Sequence, residues 1–247
     1  MIAAVTMVRD EDDIIGPVVE HMFAEGIDHM WVADNLSSDK TRPILDELAG
    51  RYPLTVIDDP EPGFYQAAKM TNLAHMAIDA GADWVCPADS DEWFYSTVGT
   101  IASTLRAATP GVVLVDGYDH LPRHDDPDDP NPITRMGWRR PQHQKFPKVV
   151  FAATPWFFLH QGQHGIEHPG PRERSTSIEY RHYQYRTLEQ MVRKVRQGAA
   201  AYAASNVHPA HGTHWKELAA QTDDQLVAAW DALCVDPDVI YDPAPMP

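Results

Sequence analysis

The run Asp89-Ser90-Asp91-Glu92 sets three carboxylates within four positions. Side chains two apart point to opposite faces of an extended strand but converge where the chain turns at its end, so Asp89 and Asp91 could hold one divalent cation. Oxygen ligands suit Mg²⁺ or Mn²⁺, ions that commonly sit between carboxylates and a substrate's phosphates, and a diphosphate ligand becomes natural. The plainer reading of the same residues is a solvated acidic turn that caps the next helix. A second grouping, His160, His164 and His168, repeats every four residues. On a helix that spacing would stack three imidazoles and suggest zinc, but Gly162, Gly165 and Pro169 argue against the helix. Arg193, Lys194 and Arg196 form a basic face on a helical pattern, an arrangement that is ordinarily solvated.

These residues need a scaffold, and the first half of the chain supplies one by alternating short apolar runs with helical patterns, as βαβ units on a mainly parallel sheet do. The pattern predicts strands at Ile2–Val8, His29–Ala33, Leu54–Ile57, Trp84–Ala88 and Val112–Val115. Between them it predicts helices over Ile14–Phe23, around Ile44, Leu45 and Leu48, over Gln66–Ala80 and over Val98–Ala107. The acidic triplet then falls at a strand's carboxyl end, where open α/β sheets bind ligands. Six prolines between Gly117 and Pro147 mark a long loop or insertion. Further strands are expected at Val149–Ala152, Trp156–Leu159 and Ser177–His182, further helices at Leu188–Ala204 and Gln225–Cys234, and a proline-rich tail from Pro237.

Composition narrows the class. With 247 residues, 43% hydrophobic and 23% charged, the chain is expected to fold around a sizeable core. Its 20 basic against 36 acidic residues give a formal charge of −16, which repels nucleic acid and anionic membrane surfaces. An anionic substrate must therefore be held by local cations, a helix N-terminus or a metal. The two cysteines, Cys86 and Cys234, read as buried free thiols in a reducing compartment. The apolar start Met1–Val8 lacks a basic region before it and runs into Arg9-Asp10-Glu11-Asp12-Asp13, so it reads as a strand rather than a leader. No apolar run reaches the roughly 18–20 residues of a membrane span, and a cytoplasmic location is expected. Abundant alanine, proline, aspartate and arginine suit a bacterial source.

Three stretches, in order, resemble the family-2 glycosyltransferases and their glycosyltransferase-2-like branch. Val8-Arg9-Asp10-Glu11-Asp12-Asp13-Ile14-Ile15, followed by Glu20-His21 and Gly26-Ile27-Asp28-His29, is similar to the branch's opening, although Asp10 stands where asparagine is usual. Asp34-Asn35-Leu36-Ser37-Ser38-Asp39-Lys40-Thr41 is similar to its D-N-x-S-x-D-x-T loop, and Trp84 through Asp89-Ser90-Asp91-Glu92-Trp93 to its D-x-D-E-F segment. Downstream, Lys148-Val149-Val150, His164 and the run His182–Gln190 with Lys194 and Gly198 resemble its tail. The likeness covers roughly residues 2–200, and the long Pro/Asp-rich loop lies outside it.

The resemblance implies a GT-A, Rossmann-like fold: a central mixed, mainly parallel sheet flanked by helices. The expected organisation is one domain over residues 1–205, with a nucleotide-binding half (1–116) and an acceptor and metal half (117–205), followed by a helical extension and tail (206–247). It further implies metal-dependent transfer of a sugar from a nucleoside-diphosphate donor, a UDP-sugar favoured, to an acceptor hydroxyl with inversion. Carried over by position, Thr6, Val8, Arg9, Glu11 and Asp34 would line the base and ribose pocket. Asp89, Ser90, Lys148 and His182 would serve the ribose and phosphates, and Asp89, Asp91 and His164 would ligate Mn²⁺ or Mg²⁺. The general base would be Glu167 or Asp119, with Glu92 behind them. Three other readings stand beside this one: a non-catalytic sugar-nucleotide or carbohydrate-binding protein on the same fold, a nucleotidyltransferase, and a zinc hydrolase built on the histidines. No Gly-rich phosphate loop follows the first strand, as a nucleotidyltransferase would require.

Overall fold

A computed structural model describes residues 1–208 and 212–246, apart from the side chain of residue 214. Its centre is an eight-stranded sheet. The first four parallel elements are β1 (Ile2–Val8), β2 (His29–Asp34), β3 (Leu54–Asp58) and β4 (Trp84–Pro87). They are joined by α1 (Ile15–Ala24), α2 (Thr41–Ala49) and α3 (Gln66–Asp79). β5 (Glu92–Ser96) follows β4 at once, then come α4 (Ile101–Ala107) and β6 (Val112–Asp119). The proline-rich stretch contains the short α5 (Pro132–Arg135) and β7 (Trp138–Arg139). Next are β8 (Lys148–Ala152), the small β9 (Phe158–Leu159) and β10 (Ile166–Glu167) pair, and the long β11 (Arg172–His182). The chain ends with α6 (Leu188–Ala203), α7 (Thr213–Ala219), α8 (Asp223–Cys234) and β12 (Ile240–Tyr241).

The strand order is β3-β2-β1-β4-β8-β6-β11-β5. Pairings β1–β2, β2–β3, β1–β4 and β6–β11 are parallel, whereas β4–β8, β6–β8 and β11–β5 are antiparallel. The sheet is thus mixed, as expected, with its parallel half at the N-terminal end. Strand alternation separates two cores: Ile2, Ala4 and Val8 face α1, α2 and α4, while Ala3 and Val5 face α3. Both faces of β1 are covered, which is why it reads as an unbroken apolar run. A third, smaller cluster joins Met191 and Val195 of α6 to Leu226 of α8.

The order reverses at β1: the chain winds outward through β2 and β3, then returns to place β4 on β1's other side. A crevice opens at the carboxyl ends of such strands. Residues 238–246 are part of this body, for β12 pairs with β7, Ala244 is buried, and Trp93 Nε1 donates to the Pro245 carbonyl at 3.0 Å. Cys86 and Cys234 are both free and buried. No helix among the described residues is long and apolar enough to cross a membrane.

Candidate active site

A cavity of about 810 Å³ occupies that crevice. Met7, Val8, Arg9 and Glu11 enter it from the end of β1, Asn35 from the end of β2, and Asp89, Ser90 and Asp91 from the end of β4. His164 and His182 line the middle, and Lys194, Gln197, Tyr202, Trp215 and Glu217 close it from α6 and α7.

The acidic turn is buried. Glu92 N–H donates to the Asp89 carbonyl (3.1 Å) and Asp89 N–H to Glu92 Oε2 (2.9 Å), closing the turn on itself. Lys148, on the neighbouring β8, places its ammonium 2.6 Å from Asp89 Oδ2 and 2.9 Å from Glu92 Oε1, and also donates to Gln163 Oε1. Gln66 donates to the other Asp89 oxygen at 2.8 Å. Burial pushes the Glu92 carboxyl up to about 7 even against the pull of Lys148. Asp91 meets Lys194 Nζ at 2.6 Å and His182 Nε2 at 3.5 Å. Burial alone would raise Asp91, but these two cations hold it well below the usual carboxylate range. His182 turns its other nitrogen to Asp119 Oδ1 at 2.9 Å, so although burial opposes its charge, carboxylates on both sides bring it to about 10. Asp119 is lowered in turn by His182 and Gln144, again against burial.

The network continues from Lys194 to Glu11 Oε1 (2.6 Å), from Glu11 to Arg186, and from Arg186 to both oxygens of Asp13 (2.7 Å each). Asp10, at φ 52°, accepts from Ser38 N–H (2.6 Å) and Asp39 N–H (3.2 Å), and from the Gln197 side chain. The first two motif loops are thereby tied to each other and to α6.

Of the residues expected from sequence, Val8, Arg9, Glu11, Asp89, Ser90, Asp91, His164 and His182 share this cavity. Lys148 supports it from behind, and Asp119 reaches it through His182. Thr6 and Asp34 lie outside the wall: Thr6 is buried within β1, and Asp34 accepts from Ser37 N–H as a turn cap. Glu167 is exposed on β10, away from the cavity. Asn35, from the second motif loop, takes a place on the wall, and Gln66, Gln197, Tyr202 and Glu217 belong to the site without having stood out in the sequence, because only tertiary folding carries them there.

The residues present do not fit a divalent cation in this arrangement. Asp89 and Asp91 are each neutralised by a lysine ammonium, and His164 turns Nδ1 to the Pro147 carbonyl at 3.2 Å. Nor do the histidines gather for zinc. Residues 161–163 form a single 3-10 turn rather than a helix, and His168 Nε2 faces the Ala152 carbonyl at 2.9 Å. Among the described residues no group of three or more His, Cys, Asp or Glu side chains is placed to hold a metal ion.

Fold and site together define an α/β protein with a cleft at a switch point of its sheet, where charged side chains meet apolar walls. No family model and no curated protein matches the sequence. Among solved structures, the chain is similar to S. aureus TarS 1–349 in complex with UDP, at 12% identity and TM-score 0.45, over 93% of this chain and 70% of that one. The complex of the same protein with UDP-GlcNAc gives 12% identity, TM-score 0.43, and 93% and 71% coverage. Glucosyl-3-phosphoglycerate synthase from Mycobacterium tuberculosis, in complex with Mn²⁺, UDP and glucosyl-3-phosphoglycerate, gives 18% identity, TM-score 0.33, and 48% and 44% coverage. These likenesses are distant.

Proposed function

We propose that this chain is a GT-A glycosyltransferase that moves a sugar from a nucleoside-diphosphate donor, a UDP-sugar first among those to test, to an acceptor hydroxyl. The observation that carries the reading is the cavity in which the ends of β1, β2 and β4 and the Asp89–Asp91 turn meet, lined at one end by Met7, Val8 and Asn35. The nucleoside occupies that end and the diphosphate lies against the turn. Phe64 and Tyr202, whose rings are 4.6 Å apart, offer apolar faces for base or sugar.

The acceptor oxygen attacks the anomeric carbon from the face opposite the leaving group. As the new C–O bond forms, the bond from that carbon to the β-phosphate oxygen breaks, its electron pair leaves with the nucleoside diphosphate, and configuration inverts. The hydroxyl proton passes to a carboxylate. Of the three bases expected from sequence, Asp119 is committed to His182 and Gln144, Glu92 is buried against Lys148, and Glu167 lies outside the cavity. Glu217 lines the cavity and enters no ion pair among the described residues, so it takes this role in the proposal.

The test is a thermal-shift screen of UDP, GDP, dTDP and CDP, followed by an assay of sugar release from the matching donor. Ligand at 100 times Kd adds about 2.7 kcal/mol, or roughly 5 °C for a chain of this length. A shift with one nucleotide and donor turnover that Glu217→Gln lowers more than Glu167→Gln supports the proposal. A shift with no turnover leaves a binding protein, and no shift with any nucleotide removes the reading.

A further inference from the structure

Resting on that reading, we infer that this cavity neutralises its ligand's diphosphate with Lys194 and Arg9, and that nucleotide binding needs no divalent cation. The space where a metal would join Asp89 to Asp91 is already governed by fixed positive charge. Lys148 is buried and reaches Asp89, Glu92 and Gln163 at once, so its three N–H donors are spent and it has no open route to swing aside. Lys194 differs. Two of its donors go to Glu11 and Asp91, both at 2.6 Å, while its head lies on the cavity wall with a third N–H to offer. Asp91 then acts as a positioning residue, fixing the ammonium that meets the phosphates, rather than as a metal ligand.

Arg9 supplies the second charge. It lines the same cavity from the end of β1, and no carboxylate pairs with it among the described residues. Its guanidinium makes no hydrogen bond among the described residues, with Nε itself buried and unpartnered, so its Nη donors are not committed to the protein. A guanidinium presents a planar fork suited to phosphate oxygens, and a lysine a mobile point charge, so the two together suit a diphosphate. The cavity's other cation, His182, has both nitrogens committed to Asp91 and Asp119. In a chain of net charge −16, an uncommitted arginine beside a lysine with a donor to spare is the local device that lets an anion approach.

The experiment measures UDP and inorganic pyrophosphate binding to the full chain by calorimetry, in EDTA and in Mn²⁺ or Mg²⁺, with uridine as the uncharged control. The expected result is that UDP and pyrophosphate bind equally with and without metal. Arg9→Met and Lys194→Met should each weaken both ligands about 10- to 100-fold and leave uridine little changed, while Lys194→Arg restores most of the loss. Asp91→Asn separates the alternatives: it removes a carboxylate that a metal would need but leaves Lys194 charged and held by Glu11, so EDTA-resistant binding persists. UDP binding that appears only with metal and vanishes in Asp91→Asn overturns this inference and leaves the proposed function standing. Absence of binding by any nucleoside diphosphate or pyrophosphate, with or without metal, overturns both.

Discussion

Arg186→Met tests whether the charged network under the cavity holds the fold together. The Arg186 side chain is completely buried. It bonds Glu11, both oxygens of Asp13 at 2.7 Å, and the Tyr183 carbonyl at 2.8 Å. Methionine fills much of the volume but leaves Asp13 without a cation and Glu11 with Lys194 alone. Breaking a buried pair in this way costs about 3–5 kcal/mol, because a desolvated charge remains. For 247 residues at about 2.1 cal/mol/K each, the unfolding entropy is near 0.5 kcal/mol/K, so the midpoint should fall by roughly 6–10 °C at pH 7. The sign of the pH effect follows from Asp13, which burial would raise but Arg186 holds below its ordinary value. A depressed carboxylate contributes stability that is full above its unfolded pKa of about 3.9 and is lost as pH falls through its lower folded value, so the gap between wild type and variant should narrow below about pH 4. Differential scanning calorimetry at about pH 7 and about pH 3 measures both quantities. Adding Asp13→Asn to Arg186→Met should recover part of the loss. A drop under about 2 °C at pH 7, or no recovery in the double variant, would refute the reasoning.

Two further outcomes are expected. His21 is stacked on Trp93 at 3.6 Å between ring centroids, bonded to the Phe94 carbonyl, and lowered by burial to about 4, while burial lowers His120 to about 3. Both are neutral when folded and must charge as pH drops below about 6.5, so stability should be full above that value and fall toward pH 4, by on the order of 3 kcal/mol for His21. Urea unfolding across that range should show the loss, and His21→Gln should flatten the curve; an unchanged slope counts against the assignment. Gly117→Ala would place a Cβ 2.0 Å from the buried Tyr180 ring, an overlap that cannot relax cheaply. It should cost about 1–3 kcal/mol in the same unfolding assay, and a neutral result would mean that the strand shifts there.

The parallel half of the sheet was legible because β1 and β4 are covered on both faces and so read as short apolar runs, with turn and cap residues marking the helices between them. The carboxylates were legible too, since strand ends carry ligands in such sheets. β5 was not: Glu92-Trp93-Phe94-Tyr95 follows the acidic turn with no breaker residue, and its aromatic run gives no period to separate it from β4. The basic face of α6, whose pattern reads as an ordinarily solvated one, is solvated only in part. Arg196 does pair with exposed Asp223, but Lys194 turns inward to Asp91, 103 positions earlier, and Arg193 donates to the Asp10 carbonyl. Nothing local to the helix encodes that choice. The tail reads only as proline-rich, and it is held by Arg139 and Arg181 on Asp242 and by Trp93 on Pro245, partners 61 to 152 positions away.

Why the network should be so continuous follows from the charge balance. Arg186, Glu11, Lys194, Asp91, His182 and Asp119 form an alternating series of cations and carboxylates running from the end of β1, past the turn after β4, to the end of β6. Each inner member lies between two neighbours of opposite sign, Arg186 also holds Asp13, and Asp119 pairs with His182 and accepts from Gln144, so each side chain is fixed without a metal as template. Under the proposed function, a diphosphate would meet positions set in advance, so less ordering would be left to be done on binding. The same design makes the site and the fold inseparable. Substitutions within the series should lower midpoint and affinity together, whereas Arg9, outside the series, should lose affinity with little loss of midpoint. That contrast distinguishes a residue that meets the ligand from those that build the place where it sits.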